Sequence, residues 1–218
     1  MFDTRLEVTH LNAWYGQAQA LFDVSLSVGA GELLVLQGLN GAGKSSLLQA
    51  LIGIGPRVAG HIVWDGQRID SWAAHRRAQA GLGFVAEDRR LFTGLSVREN
   101  LWIAARGPSK VAMARQFDRV LALFPVLGRL MDRPASQMSG GEQQMLAIAR
   151  TLMSSPRMLL LDEPCEGIAP VLVQALREVL LQLRGEGLSL LVAEQNDILA
   201  AHADRVLVLT SGRLAPAA

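Results

Sequence analysis

A single cysteine, Cys165, among 218 residues excludes an intrachain disulfide and suits a reducing compartment. Charge is also scarce. Only 19% of residues are Asp, Glu, Lys or Arg, below the roughly 25% usual for soluble chains, which hints at surface covered by partners. The 21 basic and 20 acidic residues leave a formal net charge of +1, with the basic ones scattered along the chain. No nucleic-acid partner is expected, because phosphate-backbone binding relies on a concentrated basic stripe. No uninterrupted apolar run reaches the roughly 18 residues of a membrane-spanning helix. The stretch Met1 to His10 carries Asp3 and Glu7 where a signal peptide would be apolar. The expectation is a chain that does not itself cross or enter a membrane, any membrane role coming through a partner. Internal repeats and low-complexity segments are absent too.

What is present reads as one domain with subdomains, long enough to bury a proper core. Strands are expected at Leu6 to Leu11, Val24 to Val28 and Leu33 to Gln37, the last an unbroken apolar run suited to a fully buried strand. Gly38 to Gly43 breaks that strand, and the Leu47, Leu48, Leu51 spacing predicts a helix over Ser45 to Ile52. His61 to Trp64 followed by Asp65-Gly66 reads as a hairpin arm and its turn. From Glu87 to Ser155 the periodicity is helical, with boundaries at Gly107-Pro108, Pro125 and Pro134. Strands return at Met158 to Leu161, Leu188 to Ala193 and Arg205 to Leu209, and a helix over Val171 to Leu183 separates the first two. Strands alternating with helices imply a mostly parallel sheet, an α/β fold.

Three motifs carry chemistry. Gly38-Leu39-Asn40-Gly41-Ala42-Gly43-Lys44-Ser45 satisfies GxxxxGK[ST] and lies between a buried strand and a helix, where a phosphate loop must lie. Its glycines let backbone N–H groups turn inward around a phosphate, the helix N-terminus adds partial positive charge and Lys44 a full one. Ser45 is the candidate magnesium ligand, and Ser46 follows it on the helix. Second, the apolar strand ending at Leu161 delivers Asp162 and Glu163 to the carboxyl edge of the sheet, beside the phosphate loop. Asp162 suits the magnesium shell, and Glu163 suits the orientation or deprotonation of the attacking water. Third, Ser139-Gly140-Gly141-Glu142-Gln143 opens a helix bearing Met145, Leu146, Ile148, Ala149 and Leu152, so its glycines make a further anion site. A capping box between Ser139 and Glu142 is the plainer alternative.

The stretch Met138 to Gln143 resembles the signature of ABC transporter ATPases, and the resemblance covers essentially the whole chain. It implies a P-loop NTPase (RecA-like) core, residues 1–86 and 156–218, with an antiparallel β layer and an inserted helical subdomain, residues 87–155. It also implies ATP and Mg²⁺ as ligands. Ser139, Gly140, Gly141 and Gln143 would then clasp the terminal phosphate of ATP on an opposing subunit, so that neither site is complete until two subunits close head to tail. Tyr15, in Trp14-Tyr15-Gly16, matches the family's adenine-stacking aromatic, with an ordinary core or surface tyrosine as the alternative.

A narrower resemblance comes from Val85 to Phe92, Met138 to Arg150, Asp162 to Pro170 and Val192 to Asn196, which are similar to ATPase subunits of branched-chain amino-acid importers and of related urea and amide importers. Glu87 stands where most of the family has glutamine, and Gln195 where most has histidine. Glu87 keeps an oxygen acceptor for metal or water but adds negative charge, and Gln195 can donate an amide hydrogen bond but cannot carry a positive charge. Both count among the candidate catalytic residues, Glu87 also as a metal ligand, and slower hydrolysis at this site is expected. The resemblance further implies a second ATPase subunit, expected to be non-identical with a homodimer as the alternative, two membrane-spanning permease subunits, an extracytoplasmic solute-binding protein, and a peripheral position on the cytoplasmic face of the inner (plasma) membrane. Asp88-Arg89-Arg90 falls where the family grips the permease, although a solvated charge run explains it nearly as well. Cys165 is expected to be a small filler.

Overall fold

The computed structural model describes residues 3–215. Strands β1 (Thr4–Tyr15) and β2 (Ala18–Gly29) form a long antiparallel hairpin. Leu6 and Val8 on β1 face inward, and so do Leu11 and Ala13, three and five residues beyond Val8, so the alternation changes phase once. The cause is a bulge at His10, whose φ of 53° breaks the register between Val8 and Leu11. Across from it, a Cβ on Gly60 would meet the His10 carbonyl oxygen at 2.4 Å, so only glycine fits.

The phosphate-loop strand β3 (Leu33–Gln37) leads into helix α1 (Lys44–Ile52). Strand β4 (Arg57–Trp64) pairs with β1, and the short β5 (Gln67–Arg68) returns after the Asp65-Gly66 turn, giving a four-stranded antiparallel sheet ordered β2-β1-β4-β5. Helix α2 (Ala74–Gln79) and strand β6 (Leu82–Val85) follow. Neither was expected from sequence, because each is only one short run with no flanking repeat of its period. Arg77 of α2 is buried and donates to the carbonyl oxygens of Ala50 and Leu51 at 2.8 Å, satisfying the open C-terminal end of α1.

The helical stretch differs from its expected start. Residues 87–96 form a loop, and the first helix, α3 (Val97–Ile103), begins only where Ser96 and Glu99 close a capping box. Buried Asn100 fastens that loop by bonding both the N–H and the carbonyl of Phe92. Helices α4 (Lys110–Leu123), α5 (Pro125–Gly128) and α6 (Gly140–Leu152) follow, with breaks at Gly107-Pro108, Pro125 and Pro134 as expected from proline's missing N–H. Strand β7 (Met158–Asp162), helix α7 (Pro170–Gly185), strand β8 (Ser189–Glu194), strand β9 (Arg205–Thr210) and the short β10 (Arg213–Leu214) complete the chain.

The second sheet is ordered β10-β9-β3-β8-β7-β6, with its five longer strands parallel and β10 antiparallel at one edge. Burial on both faces explains the unbroken apolar runs of β3, β7 and β8, whereas β9 leaves Val206 and Val208 exposed. On one face Leu34, Leu36, Leu160 and Leu191 pack with Leu47, Leu48 and Leu51 of α1 and the inner residues of the antiparallel sheet. On the other, Leu33, Leu159, Leu161 and Leu190 pack with the helices, among them Leu146 of α6 and Leu176 of α7. Helix α1 is thereby clamped between two sheets, which fixes the loop at its N-terminus.

Candidate functional site

The loop between β3 and α1 is shaped by close backbone approach. A Cβ on Gly38 would meet the Leu209 carbonyl oxygen of β9 at 2.4 Å, and Gly43 has φ 104°, open to glycine but strained for other residues. Gly43 is the N-cap of α1 and no side chain caps that helix, so its first N–H groups remain available to an anion.

Lys44 is buried, with Nζ donating to the carbonyl oxygens of Gly38 at 2.7 Å and Leu39 at 3.3 Å. It also lies 2.9 Å from Oε1 of Glu163, an ion pair by distance, although no well-directed hydrogen bond reaches that oxygen. Ser45 Oγ donates to Oδ1 of Asp162 at 3.0 Å. Burial pushes the Asp162 carboxyl up to about 6 against the Ser45 hydrogen bond, and the charges of Glu87 and Glu163 add to the rise. Glu163 follows β7 in a left-handed conformation, φ 45°. Its N–H donates to Ala193 O at 2.9 Å, and its Oε2 accepts the Gln195 N–H at 3.2 Å.

Lys44, Ser45 and Glu163 wall a cavity of about 620 Å³ together with Asn40, Gly41, Gly43, Ser46 and Glu87; Asp162 borders an adjoining hollow with Ser45 and Glu87, and Gln195 lines neither. Leu39 and Ala42 instead border a smaller hollow on the outer side of the loop. Gln19, Phe22 and Gly212 close the cavity from the hairpin strands and the β9–β10 turn. No sequence signal marked them, since they become neighbours of the loop only through the sheet order. No cluster of three or more His, Cys, Asp and Glu side chains able to hold a metal occurs among the described residues. The paired Ser45 and Asp162 oxygens with Glu87 nearby nevertheless suit Mg²⁺, which usually takes one or two carboxylates and completes its shell with phosphate oxygens and water.

Other expected site residues lie elsewhere. Tyr15 is not in the cavity wall; it is exposed at the hairpin end and its hydroxyl donates to Gln49 Oε1 at 2.9 Å. Ser139, Gly140, Gly141 and Gln143 are likewise outside the cavity, at the N-terminus of α6. The Ser139–Glu142 capping box is formed in full. It does not explain the glycines, whereas packing does: a Cβ on Gly141 would meet Leu172 Cδ1 at 2.2 Å, and one on Gly140 would touch the Arg89 guanidinium. Arg89 also donates to the side-chain oxygens of Gln143 and Gln144, tying the Glu87 loop to α6, while Asp88 and Arg90 pair with each other at the surface. Cys165 is buried in the helical-side core, and burial raises its thiol, so it is unreactive filler.

A phosphate loop whose lysine meets an acid at the end of the neighbouring-but-one parallel strand defines a P-loop nucleoside triphosphatase. The ABC transporter family model matches residues 21–166, and the chain belongs to that family as one of its ATP-binding, ATP-hydrolysing cassettes. It is 43% identical over 96% of its length to the high-affinity branched-chain amino acid transport ATP-binding protein BraG of Pseudomonas aeruginosa, covering 90% of that protein. It is 33% identical to the lipopolysaccharide export system ATP-binding protein LptB of Escherichia coli K12, over 96% of this chain and 88% of that one. A crystal structure of a nucleotide-free ATP-binding cassette superposes with a TM-score of 0.86 at 26% identity, over 97% of this chain and 89% of that one. No described helix is long and apolar enough to cross a membrane.

Proposed function

We propose that this chain powers an importer of branched-chain amino acids. The observation that carries the reading is the 43% identity to BraG along nearly the whole of both chains. The 33% identity to LptB favours an export role as the second reading, and urea, short amides or other amino acids are alternative cargoes.

In the proposed cycle the N–H groups of Gly41 to Ser45 and the Lys44 ammonium hold the β- and γ-phosphates of ATP. Ser45, Asp162 and Glu87 would hold Mg²⁺. When bound, that ion would neutralise charge on the terminal phosphates. Lys44 leaves Glu163 for the phosphate, and the freed Glu163 carboxylate orients the attacking water and accepts its proton. Gln195, whose N–H already meets Glu163, turns its amide toward the γ-phosphate. Without a cationic histidine there, this site hydrolyses slowly, which supports pairing with a different ATPase subunit. Tyr15 stacks on adenine, and Ser139, Gly140, Gly141 and Gln143 serve ATP on that second subunit.

The same reading divides the chain into a core, residues 1–86 and 156–218, and a helical unit, residues 87–155, which moves as ATP binds. Two permease subunits, an extracytoplasmic solute-binding protein and a seat on the cytoplasmic face of the membrane complete it. The test is ATPase activity of the reconstituted complex with its permeases and binding protein, screened over these solutes. Stimulation by leucine, isoleucine or valine is expected, whereas stimulation only by an amide, urea or a lipid would replace the cargo.

A further inference from the structure

The most deeply buried acid near the site has no part in the cycle described above. Glu194 is the last residue of β8 and is fully buried. It has the parity of Leu190 and Val192, which places its side chain on the helical face of the sheet, the face that also buries Cys165.

Its two carboxylate oxygens are bound by two different loops. Oε1 accepts the N–H of Cys165, two residues after Glu163, at 2.9 Å. Oε2 accepts Nδ2 of Asn196, the residue after Gln195, at 2.9 Å. Asn196 is itself fixed, because its Oδ1 accepts the Ile198 N–H at 3.0 Å. The reverse bond is also present: the carboxylate of Glu163, on the first loop, accepts the N–H of Gln195, on the second. Two carboxylates therefore cross-link the same pair of loops in opposite directions, one inside the core and one facing the cavity.

A buried carboxylate costs several kcal/mol unless its oxygens are satisfied, so a chain with only structural needs would put an apolar residue here. Burial pushes the Glu194 carboxyl up to about 7, opposed by its bonds from Cys165 and reinforced by the Glu163 charge. Glu163 meanwhile sits at a positive φ that a non-glycine residue holds only when its surroundings impose it. The bond from Cys165 N–H to Glu194 is one constraint that imposes it.

We propose that Glu194 is a positioning residue for ATP hydrolysis: it clamps the loop after β7 to the loop after β8 and so keeps the Glu163 carboxylate aimed into the cavity. This rests on the proposed role of Glu163. Glu194 itself touches neither the phosphate loop nor Lys44, so its loss acts chiefly on turnover and reaches ATP capture only through the ion pair of Glu163 with Lys44.

The experiment compares the full chain with Glu194→Ala, Glu194→Gln, Asn196→Ala and Glu163→Gln, measuring kcat and KM for ATP, ATP binding and thermal unfolding of each. Glu194→Ala is expected to lower kcat by about 10- to 100-fold, the loss typical of a misplaced catalytic group, with KM and ATP affinity nearly unchanged. Glu194→Gln keeps the shape and an acceptor for the Cys165 N–H but turns a second donor toward Asn196 Nδ2, so it should recover kcat in part, to about the level of Asn196→Ala, even if the alanine variant folds poorly. Asn196→Ala removes the same one of the two clamped bonds and should fall between the parent and Glu194→Ala. Unchanged kcat in a folded Glu194→Ala or Asn196→Ala, beside an inactive Glu163→Gln, would overturn the clamp alone. Full turnover by Glu163→Gln would instead remove the reading of Glu163 on which it stands.

Discussion

Lys44 Nζ stands 2.9 Å from Glu163 Oε1, with both side chains almost wholly buried, so the cation meant for phosphate and the acid meant for water hold each other. A close buried pair of this kind is strong only while both members remain, because removing one strands the other's charge. On the proposed roles, phosphate and Glu163 compete for the same ammonium, and ATP arrival and release of the acid become one event.

Lys44→Ala should consequently do two things. ATP affinity is expected to fall at least about tenfold, the scale of losing one charge-assisted contact, as read by equilibrium binding of a fluorescent ATP analogue. The stranded Glu163 should also lower thermal stability, and Lys44→Ala with Glu163→Gln should recover part of that loss. Additive destabilisation in the double variant would show that the pair is not coupled.

Gly141 gives a packing prediction. Its missing Cβ makes room for Leu172 Cδ1, 2.2 Å from where a methyl would sit. Gly141→Ala forces the far end of the Leu172 side chain to another position, at a cost of about 0.5–1.5 kcal/mol. Leu172→Ala in the same chain should relieve it, and a double-mutant cycle in urea measures the relief as a non-zero coupling.

Arg77 donates to four carbonyl oxygens, those of Ala50 and Leu51 at the end of α1 and those of Asp70 and Trp72 in the segment before α2. Arg77→Ala leaves these acceptors buried without donors and is expected to cost at least about 2 kcal/mol. For a chain of this size that corresponds to a Tm lower by roughly 4–8 °C in calorimetry.

Glu194 gives stability a pH dependence. Its folded value of about 7 lies above the ordinary 4.5, so between these values the native chain holds a proton that the unfolded chain has lost. The stability this contributes is fully present below about pH 4.5 and is lost as pH rises through about 7. Glu163, its ion-pair partner Lys44 and the Cys165 thiol are the ionisable groups beside it, and none is changed by Glu194→Gln. Urea midpoints between pH 5 and 8 should therefore fall with pH in the parent and fall less steeply in that variant, where Asp162, whose carboxyl is also raised, to about 6, keeps part of the slope.

The phosphate loop, the acid pair and the parallel sheet were legible in the sequence because each is written in contiguous residues with a distinct period. The boundaries of β3 were read to the residue, since Glu32 and Gly38 bracket an unbroken apolar run. Strand β6 and helix α2 were missed because four and six residues are too few to display a period. Residues 87–96 looked like the start of a helical stretch, yet Asn100 and the Ser96 capping box hold them as a loop. Within the site, Gln19 and Phe22 were invisible because the β9–β10 turn and the hairpin reach the cavity only after the sheets assemble. Arg77 and Glu194 were invisible for a related reason, since nothing local distinguishes a buried charge from a surface one.

Glu163 is the group proposed to activate water, and the direct measurement is single-turnover ATP hydrolysis by Glu163→Gln beside the parent chain, with ATP binding measured on both. The substitution keeps the side chain's shape while removing its basicity. Intact ATP binding with turnover reduced at least about 100-fold is the predicted result. Binding and turnover both at parental levels would contradict it and move the chemistry away from this acid.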